Sequence, residues 1–212
     1  MIQDTPLVKL IRLCSSISSD SAILSDLRTE IESQNDEKIV SGMIKKILSQ
    51  TNLENIGMLD QILPLFFQED TITEIDLFGN STLGIKCFFM SKGTYFPLHD
   101  HPNEVVATTV LYGNVKYLCL ETTEDDSKMK FGAKGLGTPG KLMFNTKNFL
   151  NVHTIYAQEN SVILDIFMSN VNEPGNFYKV VQRSGNFFSV IQLDHIFFRT
   201  RSWKMQNCEC LR

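Results

Sequence analysis

Phe96-Pro97-Leu98-His99-Asp100-His101-Pro102 places two of the chain's four histidines one residue apart. Successive side chains of a strand point to opposite faces, so we expect His99 and His101 to share a face and Asp100 to point away. Two imidazoles on one face, joined by a third from a distant strand, can hold a divalent metal and leave coordination positions open. The stretch therefore predicts metal-dependent chemistry in the mouth of a β-barrel.

The third ligand is expected to be His153, which precedes a predicted strand at Ser161–Met168. A barrel strand next to the His-x-His pair would bring it into place. Neighbouring buried imidazoles repel one another when both are charged, and a shared cation removes that conflict. His99, His101 and His153 are the predicted metal ligands, and His195 is expected to be a surface or supporting histidine.

Composition and charge limit the classes of protein that fit the chain. Its 212 residues are 42% hydrophobic and 21% charged, which is ordinary for one globular domain. The net charge of −4 argues against nucleic acid or an anionic membrane as the main partner. The sequence contains neither an apolar run of about 18 residues nor a secretory signal pattern. Five scattered cysteines indicate reduced thiols, and we expect a cytoplasmic monomer, with the nucleus as an alternative location.

Residues 1–67 are predicted to be helical. The clearest amphipathic helix is expected near residues 36–49, because apolar side chains recur there at helical spacing. They are Ile39, Val40, Met43, Ile44, Ile47 and Leu48. We expect this apolar stripe to pack on the chain's own barrel, and a docking surface for another protein is the alternative.

Residues 71–200 are predicted to form the barrel, because short β-rich runs separated by turn residues are typical of β-sandwiches and barrels. The predicted strands are Thr71–Phe78, Leu83–Met90, Val105–Tyr112, Asn114–Leu120, Lys141–Phe144, Ser161–Met168, Phe177–Val181 and Phe187–Leu193. Residues 121–140 are acidic and then glycine-rich, which favours a surface loop or a hairpin. Residues 201–212 are predicted to be a short basic tail.

Five segments carry a family resemblance. They are Leu83-Gly84-Ile85, residues 92–102 around the paired histidines, Val110–Lys116, Asn151-Val152-His153 and Ile163-Leu164-Asp165-Ile166. Together they resemble the cysteamine dioxygenase and plant cysteine oxidase family over roughly residues 71–182. The resemblance implies a mainly β cupin, a double-stranded β-helix or jelly-roll barrel, with the N-terminal helical segment packed on it. It also implies that His99, His101 and His153 bind a mononuclear iron.

The same resemblance implies an Fe(II)- and O2-dependent thiol dioxygenase. Its substrate would be a small aminothiol such as cysteamine, a protein with an N-terminal cysteine, or both, and its product a sulfinate. Asp165 is expected to accept the substrate amine or a histidine N–H, and a solvated strand aspartate is the alternative. Tyr95, Phe96 and Tyr112 are candidates for the wall of the substrate pocket, with a plain core role as the alternative.

The sequence departs from the family pattern at three places. Asn103 stands where the family usually has glycine, and Met168–Val171 replaces a Pro-Pro-Tyr turn whose tyrosine approaches the site. Gly175–Tyr178 lacks the cysteine that the animal enzymes have near a tyrosine. These changes leave the three histidines in place and leave the choice of substrate open. Two other functions stay open: a cupin with zinc and hydrolytic chemistry, and a catalytically silent cupin that binds a metabolite or a partner.

Glu104 is a candidate fourth ligand. A general cupin places a ligand glutamate four or five residues after the second histidine, where this chain has Val105 and Val106. Because the chain lacks the glutamate that a general cupin uses as a ligand, a site with three histidines fits the sequence better than one with three histidines and a glutamate.

Overall fold

The helices come first along the chain. The computed structural model describes residues 5–33, 39–56, 63–169, 175–194 and 200–204. Within these residues lie α1 (Pro6–Ser18), α2 (Ser21–Glu32), α3 (Ile39–Leu48) and two short 3-10 helices, Glu54–Ile56 and Leu63–Leu65. No helix of the described part is long and apolar enough to cross a bilayer.

Capping residues explain where the first two helices begin. The Thr5 side chain accepts a hydrogen bond from the N–H of Val8, and Pro6 occupies the first turn, where its missing N–H costs nothing. The Asp20 carboxylate accepts hydrogen bonds from the N–H groups of Ala22 and Ile23 at the start of α2. Local sequence therefore separates α1 from α2.

The strands form two sheets that face each other. They are β1 (Ile72–Gly79), β2 (Leu83–Met90), β3 (Tyr95–His99), β4 (Glu104–Tyr112), β5 (Val115–Thr122), β6 (Lys128–Gly137), β7 (Leu142–Asn145), β8 (Val152–Ala157), β9 (Ser161–Ser169), β10 (Phe177–Ser184), β11 (Phe187–Leu193) and β12 (Thr200–Lys204). The first sheet has the order β12-β1-β2-β9-β4-β7. The second closes on itself in the order β10-β11-β6-β5-β8-β3. This is the double-stranded β-helix that the family resemblance implies.

Alternating side chains of the first sheet serve two cores. On β2, Cys87 and Phe89 join the cluster formed with the helices, whereas Phe88 and Met90 join the cluster between the two sheets. A third apolar cluster lies within the closed second sheet. Helix α1 contacts β2 and β9, so the N-terminal segment packs on its own barrel. Ile44 and Leu48 of α3 are buried in the cluster formed with the helices, whereas Met43, also expected on the apolar stripe, is exposed.

Four strands lie outside the predicted strand ranges. For β3 and β8 the sequence predicts only that strands present the histidines, without bounds, and Pro97 weakens the strand pattern of β3. β6 is rich in lysine and glycine, and it forms a hairpin with β5 within residues 121–140, one of the two arrangements expected there. β12 pairs in parallel with β1, so the sheet extends past residue 200 into the segment predicted to be a tail.

Candidate metal centre

The three predicted ligand histidines converge. One ring nitrogen from each of His99, His101 and His153 lies within 4.8 Å of the others, a spacing that fits three ligands of one ion. The ring centroids are 4.9 Å apart for His99 and His101, 4.5 Å for His99 and His153, and 5.1 Å for His101 and His153.

The backbone brings the histidines together in two ways. His99 ends β3 and stands opposite His153 in the antiparallel pair of β3 and β8. His101 lies beyond the strand, in the turn before β4. The prediction that His99 and His101 share a strand face therefore needs a correction, because the strand ends at the first histidine and the turn aims the second. The N–H of His101 donates to Asn151 Oδ1 at 3.0 Å, which fixes that turn against the chain leading to His153.

Each histidine of the triad uses Nδ1 for a protein contact. His99 Nδ1 lies 2.8 Å from the carbonyl of Pro97, and His153 Nδ1 lies 3.2 Å from the carbonyl of Asn151. His101 Nδ1 lies 3.2 Å from Glu104 Oε2. Such acceptors fix the tautomer with a proton on Nδ1, which leaves Nε2 of each ring free to bind a metal. Glu104, the candidate fourth ligand, instead supports His101.

Burial favours the neutral form of two of the three imidazoles. It lowers the pKa of His99 to about 4, with a further contribution from the neighbouring His101. Burial also lowers the pKa of His153 well below its ordinary value, and the other two histidines act in the same direction. Neutral imidazole is the form that binds a metal, so the donor set fits a divalent transition ion.

Asp100, between two of the histidines, points away from them as predicted. It is only 5% exposed, and its carboxylate accepts hydrogen bonds from the Asn176 N–H at 2.7 Å and the Tyr178 hydroxyl at 2.7 Å. The Asn176 amide nitrogen adds a contact of 3.1 Å. Burial and this carboxylate raise the pKa of Tyr178. Asp100 therefore anchors β10 beside the histidines.

Asp165 lies on β9, on the side that faces the space between the sheets. It is 7% exposed, and its Oδ1 atom has no hydrogen-bond partner among the described residues. Burial raises its pKa to about 6. Phe167, two residues further on the same face, has its ring centroid 5.5 Å from that of His101. The carboxylate thus lies on the same interior surface as the histidines and is not solvated.

Of the three aromatic residues predicted to line the pocket, only Phe96 contacts a histidine. Its ring centroid is 6.0 Å from that of His99. Tyr95 is 58% exposed, because successive residues of β3 face opposite sides and Phe96 takes the inner one. Tyr112 is also exposed and contacts Phe67 at 6.4 Å between centroids, so the expectation for both tyrosines needs correction.

Two other phenylalanines beside the triad were missed. Phe177 stands opposite His99 in the pair of β10 and β3, with ring centroids 5.8 Å apart. Phe167 was detectable, because it follows Asp165 by two residues and therefore shares its face of the strand. Phe177 was not, because strand pairing decides its position. His195 and residues 170–174, which include the second half of the Met168–Val171 stretch, lie outside the described residues.

The fold and the three histidines define a cupin with a candidate mononuclear metal centre. The model of the PCO_ADO family matches residues 66–186 of this chain, and the chain belongs to that family. This confirms the resemblance to the cysteamine dioxygenases and plant cysteine oxidases.

Two curated relatives are similar to the chain, and both are named 2-aminoethanethiol dioxygenase. The mouse protein is 32% identical over 84 residues, which are 37% of this chain and 32% of the relative. The human protein is 27% identical over 81 residues, 37% of this chain and 30% of the relative. The matches thus span about a third of each relative's length. A Klebsiella pneumoniae protein of known structure with a double-stranded β-helix domain superposes with a TM-score of 0.42, at 12% identity over 54% of this chain and 92% of its own.

Proposed function

We propose that the protein is an iron(II)- and O2-dependent thiol dioxygenase. Its substrate is the thiol of a small aminothiol such as cysteamine, or of an N-terminal cysteine of a protein, and its product is a sulfinate. The observation that carries the proposal is the triad of His99, His101 and His153, in which Nδ1 of every ring faces a protein acceptor. Three neutral imidazoles leave the full charge of Fe(II) and an open face for a thiolate.

The proposed reaction balances without an external reductant. One thiol and one O2 give one sulfinic acid, both oxygen atoms become bonded to sulfur, and sulfur supplies all the electrons that reduce O2. Bound iron would lower the pKa of the thiol and bring the thiolate and O2 together. The protein's own task is to hold the three imidazoles and to orient the rest of the substrate.

Asp165 is the group proposed to orient the substrate amine. Lys86 stands opposite it on the neighbouring strand, but the Lys86 ammonium contacts Glu74 and Asp76 instead. Burial disfavours the ionised carboxylate, and a substrate ammonium beside the unpartnered Oδ1 would stabilise it. An aminothiol fits this arrangement better than a simple alkyl thiol does.

The direct test combines metal analysis with oxygen uptake. Protein purified without added metal is assayed for bound metals, loaded with Fe(II), and given cysteamine or a peptide that begins with cysteine. We expect iron-dependent oxygen uptake and a sulfinate product on at least one substrate. His99→Ala and His153→Ala should abolish iron binding and turnover while the barrel stays folded, because its apolar clusters do not depend on the metal. His195→Ala is the matched control and should keep activity within a few-fold.

Each alternative function has its own outcome in this test. Tight zinc with no thiol oxidation after iron loading would favour the hydrolytic cupin. Absence of turnover with every metal would favour the silent, ligand-binding cupin. A loss of activity in His195→Ala as large as that in His99→Ala would contradict the ligand set.

A further inference from the structure

One face of helix α2 contacts two loops beside the histidine triad, one that follows His101 and one that leads to His153. The Arg28 guanidinium donates to the backbone carbonyl of Asn103, in the turn that follows His101. One helical turn later, Glu32 Oε1 accepts a hydrogen bond from Thr146 Oγ1 at 2.7 Å, in the loop that leads to His153. Residues four apart lie on the same side of a helix, so α2 links the two loops.

The Arg28 contact falls at a sharp turn of the first loop. Asn103 has φ of 66°, a left-handed conformation that is uncommon outside glycine and that asparagine adopts more readily than most residues. The next residue is Glu104, whose carboxylate lies 3.2 Å from Nδ1 of His101. Holding the Asn103 carbonyl therefore fixes the direction from which Glu104 reaches its histidine.

The Glu32 contact holds the second loop. Thr146 and Phe149 exchange two backbone hydrogen bonds of 3.0 and 3.1 Å, which makes the loop a tight turn. Glu32 Oε2 also accepts from Asn148 Nδ2 at 3.3 Å. The loop ends at Asn151, whose carbonyl faces His153 Nδ1 and whose side chain accepts the His101 N–H.

We propose that Arg28 and Glu32 are positioning residues of the metal centre, through which the N-terminal helical segment sets the orientation of His101 and His153. The inference rests on the proposed function only in requiring that the triad holds a metal. It gives α2 a part in the site although the helix carries none of the ligands. Outer contacts of this kind hold ligands in place and so affect both affinity and coordination geometry.

The test measures Co(II) binding to the full chain by chelator competition, together with the visible absorption spectrum of the Co(II) form. Arg28→Met removes the donor and keeps the aliphatic stem, and Glu32→Leu removes both acceptor oxygens. We expect each change to weaken Co(II) affinity roughly tenfold and to alter the Co(II) bands. Arg28→Lys and Glu32→Gln, which keep a donor and an acceptor, should restore most of the affinity.

Asp26→Asn is the matched control, because Asp26 is exposed on the same helix. It should leave both the affinity and the spectrum unchanged. Circular dichroism and thermal unfolding of each metal-free variant show whether a loss of affinity merely reflects unfolding. If Arg28→Met or Glu32→Leu unfolds, the Co(II) affinity and spectrum of Arg28→Lys and Glu32→Gln are compared with those of the wild type. Wild-type affinity and an unchanged spectrum in both Arg28→Met and Glu32→Leu would overturn this inference and leave the proposed function intact. Undiminished Co(II) binding by His99→Ala would instead remove the metal centre, and this inference with it.

Discussion

Glu104 Oε2 lies 3.2 Å from Nδ1 of His101, whereas the same nitrogens of His99 and His153 face backbone carbonyls. Both side chains of the Glu104–His101 pair are largely buried. A carboxylate in this position fixes the tautomer and the orientation of the imidazole. His101 is therefore the ligand whose orientation depends on another side chain.

Removing that carboxylate should weaken metal binding without emptying the site. We expect Glu104→Ala to lower affinity for Co(II) or Fe(II) by roughly 10–100-fold. Glu104→Gln should lose less, since its amide oxygen still accepts the Nδ1–H. Chelator competition measures both variants, and Glu124→Ala, an exposed position in the turn between β5 and β6, is the control. Wild-type affinity in Glu104→Ala would mean that the contact does not support the ligand.

The Asp100 carboxylate should contribute to the stability of the fold around the triad. Asp100→Ala leaves the Asn176 N–H and the Tyr178 hydroxyl without their acceptor, and we expect a loss of about 2–4 kcal/mol in the free energy of unfolding. Tyr178→Phe should cost about 1–3 kcal/mol, and the double variant less than the sum, because the groups share one network. Urea unfolding measures all three.

Tyr156→Phe is the control for the hydroxyl at position 178, because Tyr156 is exposed on β8. It should change the free energy of unfolding by less than about 0.5 kcal/mol. Strict additivity of the Asp100 and Tyr178 changes would contradict a shared network.

Asp165→Asn separates the amine-binding role from a purely structural one. The variant should keep iron and slow the oxidation of an amine-bearing thiol by roughly 10–100-fold. An amine-free alkyl thiol should be a poor substrate of the wild type, and the substitution should affect it little. Oxygen uptake at matched iron content measures both. Equal wild-type rates on the two thiols would contradict a contact between Asp165 and the amine.

The pH dependence of stability tests the burial of the same carboxyl in the metal-free protein. The pKa of Asp165 is about 6 in the folded protein and about 3.9 in the unfolded chain. The contribution of this carboxyl to the free energy of unfolding is therefore fully present below the unfolded pKa, and it is lost as the pH rises through about 6. Asparagine does not titrate. Relative to the wild type, Asp165→Asn should therefore gain about 2 kcal/mol of stability between about pH 4.5 and pH 7.5. A difference that does not change with pH would place the carboxyl in solvent.

The sequence indicates the barrel through its short β-rich runs, and it pairs His99 with His101 through their spacing. His153 is distant in sequence and joins the pair chiefly through the family resemblance. The sequence did not suffice for the walls of the site. Which of two adjacent aromatic residues faces inward depends on strand register. The sequence offers both Tyr95 and Phe96 for the pocket, and only Phe96 takes the inner position. The position of Phe177 depends on the pairing of β10 with β3, which no local pattern encodes.

The supporting contacts were still harder to predict. The partners of Asp100 lie 76 and 78 residues further along the chain. Glu104 was read as a candidate fourth ligand, because its distance from His101 in sequence does not say which ring nitrogen it faces. Contacts of this kind follow only from the folded topology.

Isotope labelling with ¹⁸O2 counts the oxygen atoms that the protein transfers from O2 to sulfur. The Fe(II)-loaded protein reacts with cysteamine or a cysteine-initiated peptide under ¹⁸O2, and mass spectrometry of the product counts the labelled oxygen atoms. If His99, His101 and His153 form the centre of a thiol dioxygenase, both sulfinate oxygens carry the label, and His153→Ala gives no product. A sulfinate with one labelled oxygen or none, or an equal yield from His153→Ala, would contradict the account.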